Sequence, residues 1–440
     1  MKRLFITILL VFTASVGFAK EEADIKITEY DLSNGLHVIL HQDHTTPNVM
    51  VSIMYHVGAK NEDLQRTGFA HLFEHLMFEG SDNIGRGDYF KIVQAAGGSL
   101  NANTTQDRTY FFETLPSNQL ELALWMESER MLHAKIDSSG VATQKGVVIE
   151  ERKQSYDNRP YGTFLEEVGK RAFKVHPYRW QTIGSPDDIR NSTFEDVFNF
   201  YKTYYVPNNA VLVIVGDIDE KQTREWVDKY FAGIPEGTLP IHRPTEVEPP
   251  QTAEIRDTVY DNIQLPGVFM GYHAPAMGTK DAYALEILSD ILSGGASSRM
   301  KTNITDKGLA LETTVIPFFQ ENPGLIYVIG IANMGGNPKD LETAINAAID
   351  SVRTNLVSEE EFQMAMAAKE FNVASGMLSI ASISQSLADN YTYFKDADRI
   401  NRTLSFYKDI TRQDLLDAAK KYLSEENRTV LYYLSKTEEK

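Results

Sequence analysis

There is no cysteine anywhere in the 440 residues. That excludes disulfides, thiolate metal ligands and a lipid-modified cysteine anchor, so any metal must be held by His, Asp or Glu. Positive charge is short as well. Against 61 Asp and Glu stand 43 Lys and Arg, a formal net charge of −18. Such a balance disfavours nucleic acid and anionic membranes as partners. It is compatible with cationic substrates, and equally with a surface that only keeps the protein soluble. Long apolar runs are missing too. The run at residues 4–11 is too short to span a membrane, and no other stretch reads as a span.

Residues 1–19 read instead as a secretory signal: Lys2 and Arg3, then the apolar run, then small residues ending at Ala19. Cleavage after Ala19 removes both positive charges and takes the formal charge from −18 to −20. The mature protein is expected to be exported, to the periplasm of a Gram-negative bacterium.

What the chain does have is Gly68-Phe-Ala-His-Leu-Phe-Glu-His-Leu-Met-Phe-Glu-Gly80. His71 and His75 are four apart and share one face of a helix, where two neutral imidazoles can hold one metal ion. Glu74 lies on the same side, placed to take a proton from a water at that metal. The order H-x-x-E-H reverses the commoner H-E-x-x-H and is the inverzincin signature. Phe69, Leu72, Phe73, Leu76, Met77 and Phe78 make this helix apolar nearly all round, so it should be buried. Two His and a Glu inside it would be costly unless bound to something. A zinc ion held by two His needs a third protein ligand and one open position. A helix over residues 141–156 offers Glu150 and Glu151, whose side chains point about 100° apart, and spacing alone does not choose between them.

Around this motif, residues 24–58 read as strands and 88–96 as a helix ended by Gly97-Gly98. A polar strand follows at Asn101-Ala102-Asn103, then an aromatic one. A polar strand beside a metal helix suits a sheet edge that pairs with a peptide backbone. Residues 117–135 read as an amphipathic helix with Ser117 as N-cap. Pro235, Pro240, Pro244, Pro249 and Pro250 mark residues 233–256 as a linker. The segments on either side repeat each other. Val51-Ser-Ile-Met-Tyr55-His56 is echoed 217 residues on by Val268-Phe-Met-Gly-Tyr272-His273, and Thr193-x-x-Asp196 by Thr411-x-x-Asp414. Two copies of one domain are expected, 20–232 bearing the metal and 257–440 as its copy. At the same offset His71, Glu74 and His75 map to Leu288, Ile291 and Leu292, so one metal per chain is expected.

These residues together resemble the M16 (pitrilysin-type) zinc metallopeptidases, in particular the short two-domain branch that includes the β subunit of mitochondrial processing peptidase. The resemblance covers nearly all of the mature chain. It is carried by the G-x-A-H-x-x-E-H run, Gly98-x-x-Asn101-Ala102, Val147-Val-Ile-Glu-Glu151, Tyr205-x-Pro-x-Asn-Ala-Val-Leu and Gly294-Gly-Ala-Ser-Ser-Arg299. It implies an α+β fold of two duplicated domains, each a mainly antiparallel sheet covered by helices, enclosing a chamber for peptides or unfolded chains. It implies one Zn2+ held by His71, His75 and Glu151, with Glu74 as general base. Asn101, Ala102 and Asn103 would hold the substrate backbone, and Arg299 would steady the substrate. Two positions depart from the family pattern. Gln144 stands where an acidic residue often supports the zinc site from seven positions before Glu151. Leu311 stands where a Tyr is expected, and leucine has no hydroxyl to give. Some short-branch members pair with a zinc-less subunit that supplies the Arg and Tyr, so a heterodimer or a homodimer is expected. The rival readings are a non-catalytic structural or assembly subunit and a zinc-dependent peptide-binding protein.

Overall fold

The computed structural model describes residues 24–436, so the expected signal segment lies outside the described residues. Its first half builds a six-stranded sheet from β1 (Thr28–Asp31), β2 (His37–Gln42), β3 (Asn48–Tyr55), β4 (Ser99–Thr104), β5 (Thr109–Pro116) and β6 (Ala210–Gly216). The order is β1-β2-β6-β3-β5-β4. The second half builds a five-stranded sheet from β7 (Ile255–Asp261), β8 (Gly267–His273), β9 (Ala310–Phe318), β10 (Leu325–Ala332) and β11 (Arg428–Ser435), in the order β7-β11-β8-β10-β9. Each sheet has one parallel contact, β2 with β6 and β7 with β11, and is otherwise antiparallel. Two duplicated, mainly antiparallel sheets under helices are what the sequence implies.

The duplication extends to single hydrogen bonds. Asn209 Nδ2 donates to His56 O at 3.3 Å and Tyr204 O at 2.8 Å. Asn427 Nδ2 donates to His273 O at 2.8 Å and Tyr422 O at 2.7 Å. Thr193 and Thr411 each close a capping box with the Asp three residues on. Between the halves, residues 233–254 form neither helix nor strand.

Two expectations about helix ends are corrected. Ser117 does not cap its helix: it opens a 3₁₀ turn before the helix Leu120–His133, and its hydroxyl donates to Asp217 at 2.8 Å instead. Asp217 follows β6 and offers that hydroxyl a charged acceptor. The helix over 141–156 is Ser138–Arg152, capped by Asp137 and followed by a π-helical turn, Lys153–Asp157.

The central strands lack clean alternation because both faces of each sheet are covered. Val49, Val51, Ile53 and Tyr55 of β3 face one core, while Met50 and Met54 face another. That second face is covered from the other half of the chain, by Ile383, Leu387 and Ala388 of the helix Ile380–Phe394. Reciprocally, Val168 and Ala172 of the first-half helix Phe164–Ala172 pack with Phe269, Leu431 and Tyr433 of the second sheet. The approach is close: a Cβ on Gly271 of β8 would come within 2.4 Å of Val168 Cγ1. Each half therefore completes the core of the other. A fragment ending before residue 257 would expose the β3 and β6 side chains that the helix Ile380–Phe394 covers. It is expected to show no cooperative melting by circular dichroism, whereas the whole chain melts as one unit.

Candidate metal centre

The helix Phe69–Leu76 buries Phe69, Leu72, Phe73 and Leu76 in the first core. It starts from Gly68, at φ +92°, which has no side chain to cap the first turn. Glu62 serves instead: Oε2 accepts from Gly68 N at 2.8 Å and Oε1 from Ala70 N at 2.9 Å. A Cβ on Gly184 would lie 2.4 Å from Gly68 Cα, so the loop at 184 presses directly on the helix start. Arg152, beside Glu151, donates through Nη1 to Gly184 O at 2.6 Å. One loop thus ties the helix of Glu151 to the helix of His71 and His75.

The three side chains converge. His71 Nε2 and His75 Nε2 are 3.3 Å apart. Glu151 Oε2 is 3.3 Å from His75 Nε2 and 3.8 Å from His71 Nε2. One potential donor atom from each residue lies within 4.8 Å of the other two. Glu150 points away and pairs with Lys153 at 3.1 Å and Gln154 at 3.3 Å. Burial, together with the neighbouring His75, pulls His71 down to about 4, which leaves its imidazole neutral. Burial also pulls on His75, but the hydrogen bond and charge of Glu151 outweigh it and hold His75 above the usual histidine value. The His75 hydrogen bond in turn holds Glu151 below the usual carboxylate range. Two ring nitrogens facing each other at hydrogen-bond distance, one of them on a neutral ring, with a carboxylate beside both, make a donor set that fits zinc. His71 Nδ1 is buried with no hydrogen-bond partner among the described residues.

Glu74 faces the edge strand. Thr104 Oγ1 donates to Glu74 Oε2 at 2.6 Å. Burial pushes the Glu74 carboxyl above its usual range, and the Thr104 bond pulls the other way. Among the described residues β4 is paired only with β5 and is the free edge of its sheet. Its turn bond, Thr105 N to Arg108 O at 2.9 Å, sets the register. Bonded pairs alternate, so the backbone groups of Asn101 and Asn103 face β5, and those of Leu100, Ala102 and Thr104 face off the sheet. Of the three residues implied for substrate, Ala102 alone presents its backbone outward, and Asn101 Oδ1 accepts from its amide at 2.9 Å. Asn103 is tied through its carbonyl to Arg108 Nη1 at 3.1 Å.

Arg299 is not among these residues. Its Nε and Nη2 grip Glu361 at 2.7 and 2.8 Å, and Nη1 donates to Ser351 at 2.7 Å, all within the second half. Leu311 lies on the free edge strand β9 and is 60% exposed. Gln144 donates to Glu79, whose other oxygen meets Arg86 Nε at 2.6 Å, so a carboxylate remains one side chain away. Thr104 and Glu79 were not singled out by the sequence. Thr104 follows Asn103 directly, but only the register shows that it turns toward Glu74.

The chain matches two family descriptions, "Insulinase (Peptidase family M16)" over residues 37–185 and "Peptidase M16 inactive domain" over residues 191–369. The zinc protease PqqE of Helicobacter pylori is 29% identical over 443 residues, covering 98% of each chain. The crystal structure of a protease from Helicobacter pylori superposes with a TM-score of 0.88 at 27% identity, over 93% of this chain and 99% of that one. The periplasmic protease PqqL of Escherichia coli shares the fold, with a TM-score of 0.76 at 17% identity. There 94% of this chain matches 48% of the other, so that protein is about twice as long.

Proposed function

The chain belongs to the M16 peptidase family, and on that premise we propose that it is an exported zinc-dependent endopeptidase acting on peptides or unfolded polypeptides. The observation that carries this reading is the convergence of His71, His75 and Glu151 next to a Glu74 tied to a free strand edge. His71, His75 and Glu151 would hold one zinc ion, which when bound supplies Lewis acidity toward the scissile carbonyl and the attacking water. The rest is done by this chain's own groups. A peptide adds to β4 as an extended strand through the outward backbone of Leu100, Ala102 and Thr104, which leaves peptide sequence largely free. Glu74 takes the proton of the attacking water and passes it to the leaving nitrogen, and its raised affinity for protons suits both steps. Thr104 joins the two tasks, since its backbone lies on the binding edge while its hydroxyl orients the base.

Residues 20–232 are proposed as the catalytic unit and 257–440 as its metal-free copy, in which Leu288, Ile291 and Leu292 pack in the core. A second M16 unit, in a homodimer or a heterodimer, is proposed as partner. The doubled length of a periplasmic relative of the same fold supports both the pairing and the periplasmic location.

The test is cleavage of a mixed pool of unstructured peptides by the mature protein, followed through zinc removal and return. Cleavage is expected with about one zinc per chain, loss on treatment with dipicolinate, and recovery on adding zinc. Undiminished cleavage by zinc-free protein would refute the reading. Zinc should also be held less tightly as pH falls. His75 takes up a proton above the usual histidine range, and protons then compete with the metal for its nitrogen.

A further inference from the structure

Away from the metal centre, the two sheets meet through corresponding hairpins. In the first sheet the tip is residues 105–108, between β4 and β5; in the second it is residues 319–324, between β9 and β10. The contact is built from charge: Lys60, Asp107 and Arg108 are buried, and Glu321 and Asp389 are half-buried. Lys60, 3% exposed, sets its ammonium 2.9 Å from Asp107 Oδ1 and also against Glu321, which comes from the second half. Glu321 Oε2 takes a hydrogen bond from His56 Nε2 at 2.8 Å, and Glu321 N donates to Asp107 Oδ2 at 3.1 Å. Tyr178 OH donates to Asp107 Oδ1 at 2.6 Å and accepts from Asn322 N at 3.1 Å. Arg108 faces Asp389 of the helix Ile380–Phe394 at 3.6 Å. The backbone joins in: Ala59 N and Lys60 N donate to Thr105 O and Gln106 O at 3.1 and 2.9 Å.

The first hairpin is continuous with the binding edge. Thr104, which orients Glu74, directly precedes the turn that Lys60 and Asp107 fix. The second half therefore grips the strand that carries both the outward backbone groups and the contact to the base. Surface ion pairs contribute little, but one drawn out of water holds its geometry firmly when every partner is satisfied. Burial works against Glu321 as a carboxylate, yet the His56 bond and the Lys60 charge hold it down to about 2, so it is ionised throughout the working range.

We propose that Glu321 is a positioning residue: it clamps the β4–β5 hairpin from the other half of the chain and so sets the binding edge and Thr104 against Glu74. This rests on the peptidase reading for its consequence in catalysis, but the clamp itself can be read without catalysis.

The test compares Glu321→Gln with the wild type, as whole mature chains. Glu321→Gln leaves Lys60 paired with Asp107, so the fold is kept; Glu321→Ala serves as a second variant. The readouts are amide hydrogen exchange, zinc content, kcat and KM. The amides of Asn101 and Asn103 face β5, that of Thr105 is bonded to Arg108 O across the turn, and all three report on the hairpin. Their exchange is expected to quicken at least tenfold, while those in β2 and β6 keep their rates. Zinc content stays the same, and kcat/KM falls about 10- to 100-fold, the loss that goes with a misplaced strand and base. Unchanged exchange over 99–105 would overturn the proposal. Faster exchange with unchanged kcat/KM would overturn it too, as would a rise spread over both sheets, which marks lost stability rather than a freed hairpin. If the wild type cuts nothing, the peptidase reading fails, while the exchange comparison still decides whether Glu321 holds the strand.

Discussion

A Glu74→Gln protein is expected to keep its zinc and bind peptide as the wild type does, while cleavage falls by about 10²- to 10⁴-fold. Glu74 is outside the His71, His75 and Glu151 cluster and donates nothing to it, so an amide of the same shape leaves the metal donors in place. The hydrogen bond from Thr104 survives, because the amide oxygen accepts as the carboxylate did. What is lost is the ability to take a proton from the attacking water and return it to the leaving nitrogen. The pH dependence carries a sign. Glu74 works as the unprotonated base, and burial raises its affinity for protons, so the acid limb of kcat/KM should lie above the ordinary carboxylate range. Thr104 donates to the charged form and lowers that limb. Thr104→Val should therefore move it to higher pH and leave zinc content unchanged. If Glu74→Gln cut peptides at the wild-type rate, Glu74 would be no base, and the reading as an enzyme would need another proton acceptor. If the wild type held zinc and neither protein cut, the exposed Leu311 would become the position of interest, and a partner subunit would be the thing to look for.

Much of this was legible in the chain because the signals are local. The i, i+4 histidines, the Gly pair after the second helix, the proline cluster and the offset of 217 all depend on neighbours in sequence. The choice between Glu150 and Glu151 did not come from spacing, since both sit on the right helix; it took the family resemblance, and in space Glu151 faces the histidines while Glu150 turns to Lys153. What stayed hidden has long-range causes. Neither the reciprocal covering of the sheets nor the Glu321 contact leaves a periodic trace, because each joins residues far apart in the sequence. Arg299 shows the opposite failure. Its motif is clear, but a bidentate partner at Glu361 decides where the guanidinium points, and no pattern announces that partner.

The largest effect on stability is expected from Arg130→Ala, at about 3–5 kcal/mol in urea or thermal unfolding. Arg130 is 1% exposed on the helix Leu120–His133. It pairs with Glu127, itself fully buried, through Nε at 3.2 Å and Nη2 at 3.1 Å. Its Nη1 donates to Met77 O at 2.8 Å, at the end of the metal-bearing helix. Its guanidinium lies 4.5 Å from the ring centres of Phe78 and Tyr89 and 4.9 Å from that of Phe111. Glu113 stands in the same pocket, and burial, with the Glu127 charge, pushes its carboxyl well up. Arg130 is thus the cation among two buried acids. Removing it leaves Glu127 without its counter-charge and the carbonyl of Met77 without its donor, and it opens a cavity between three rings. The charge part of the loss is separable. Arg130→Met restores volume but not charge and should recover little. Arg130→Met combined with Glu127→Leu removes both charges and should recover most of it, because a buried pair is worth little more than its apolar replacement. The single variant should also take up less zinc when zinc is limiting, since the end of the helix bearing His71 and His75 is then free to move. A loss below about 1 kcal/mol would mean that water enters the pocket and solvates Glu127.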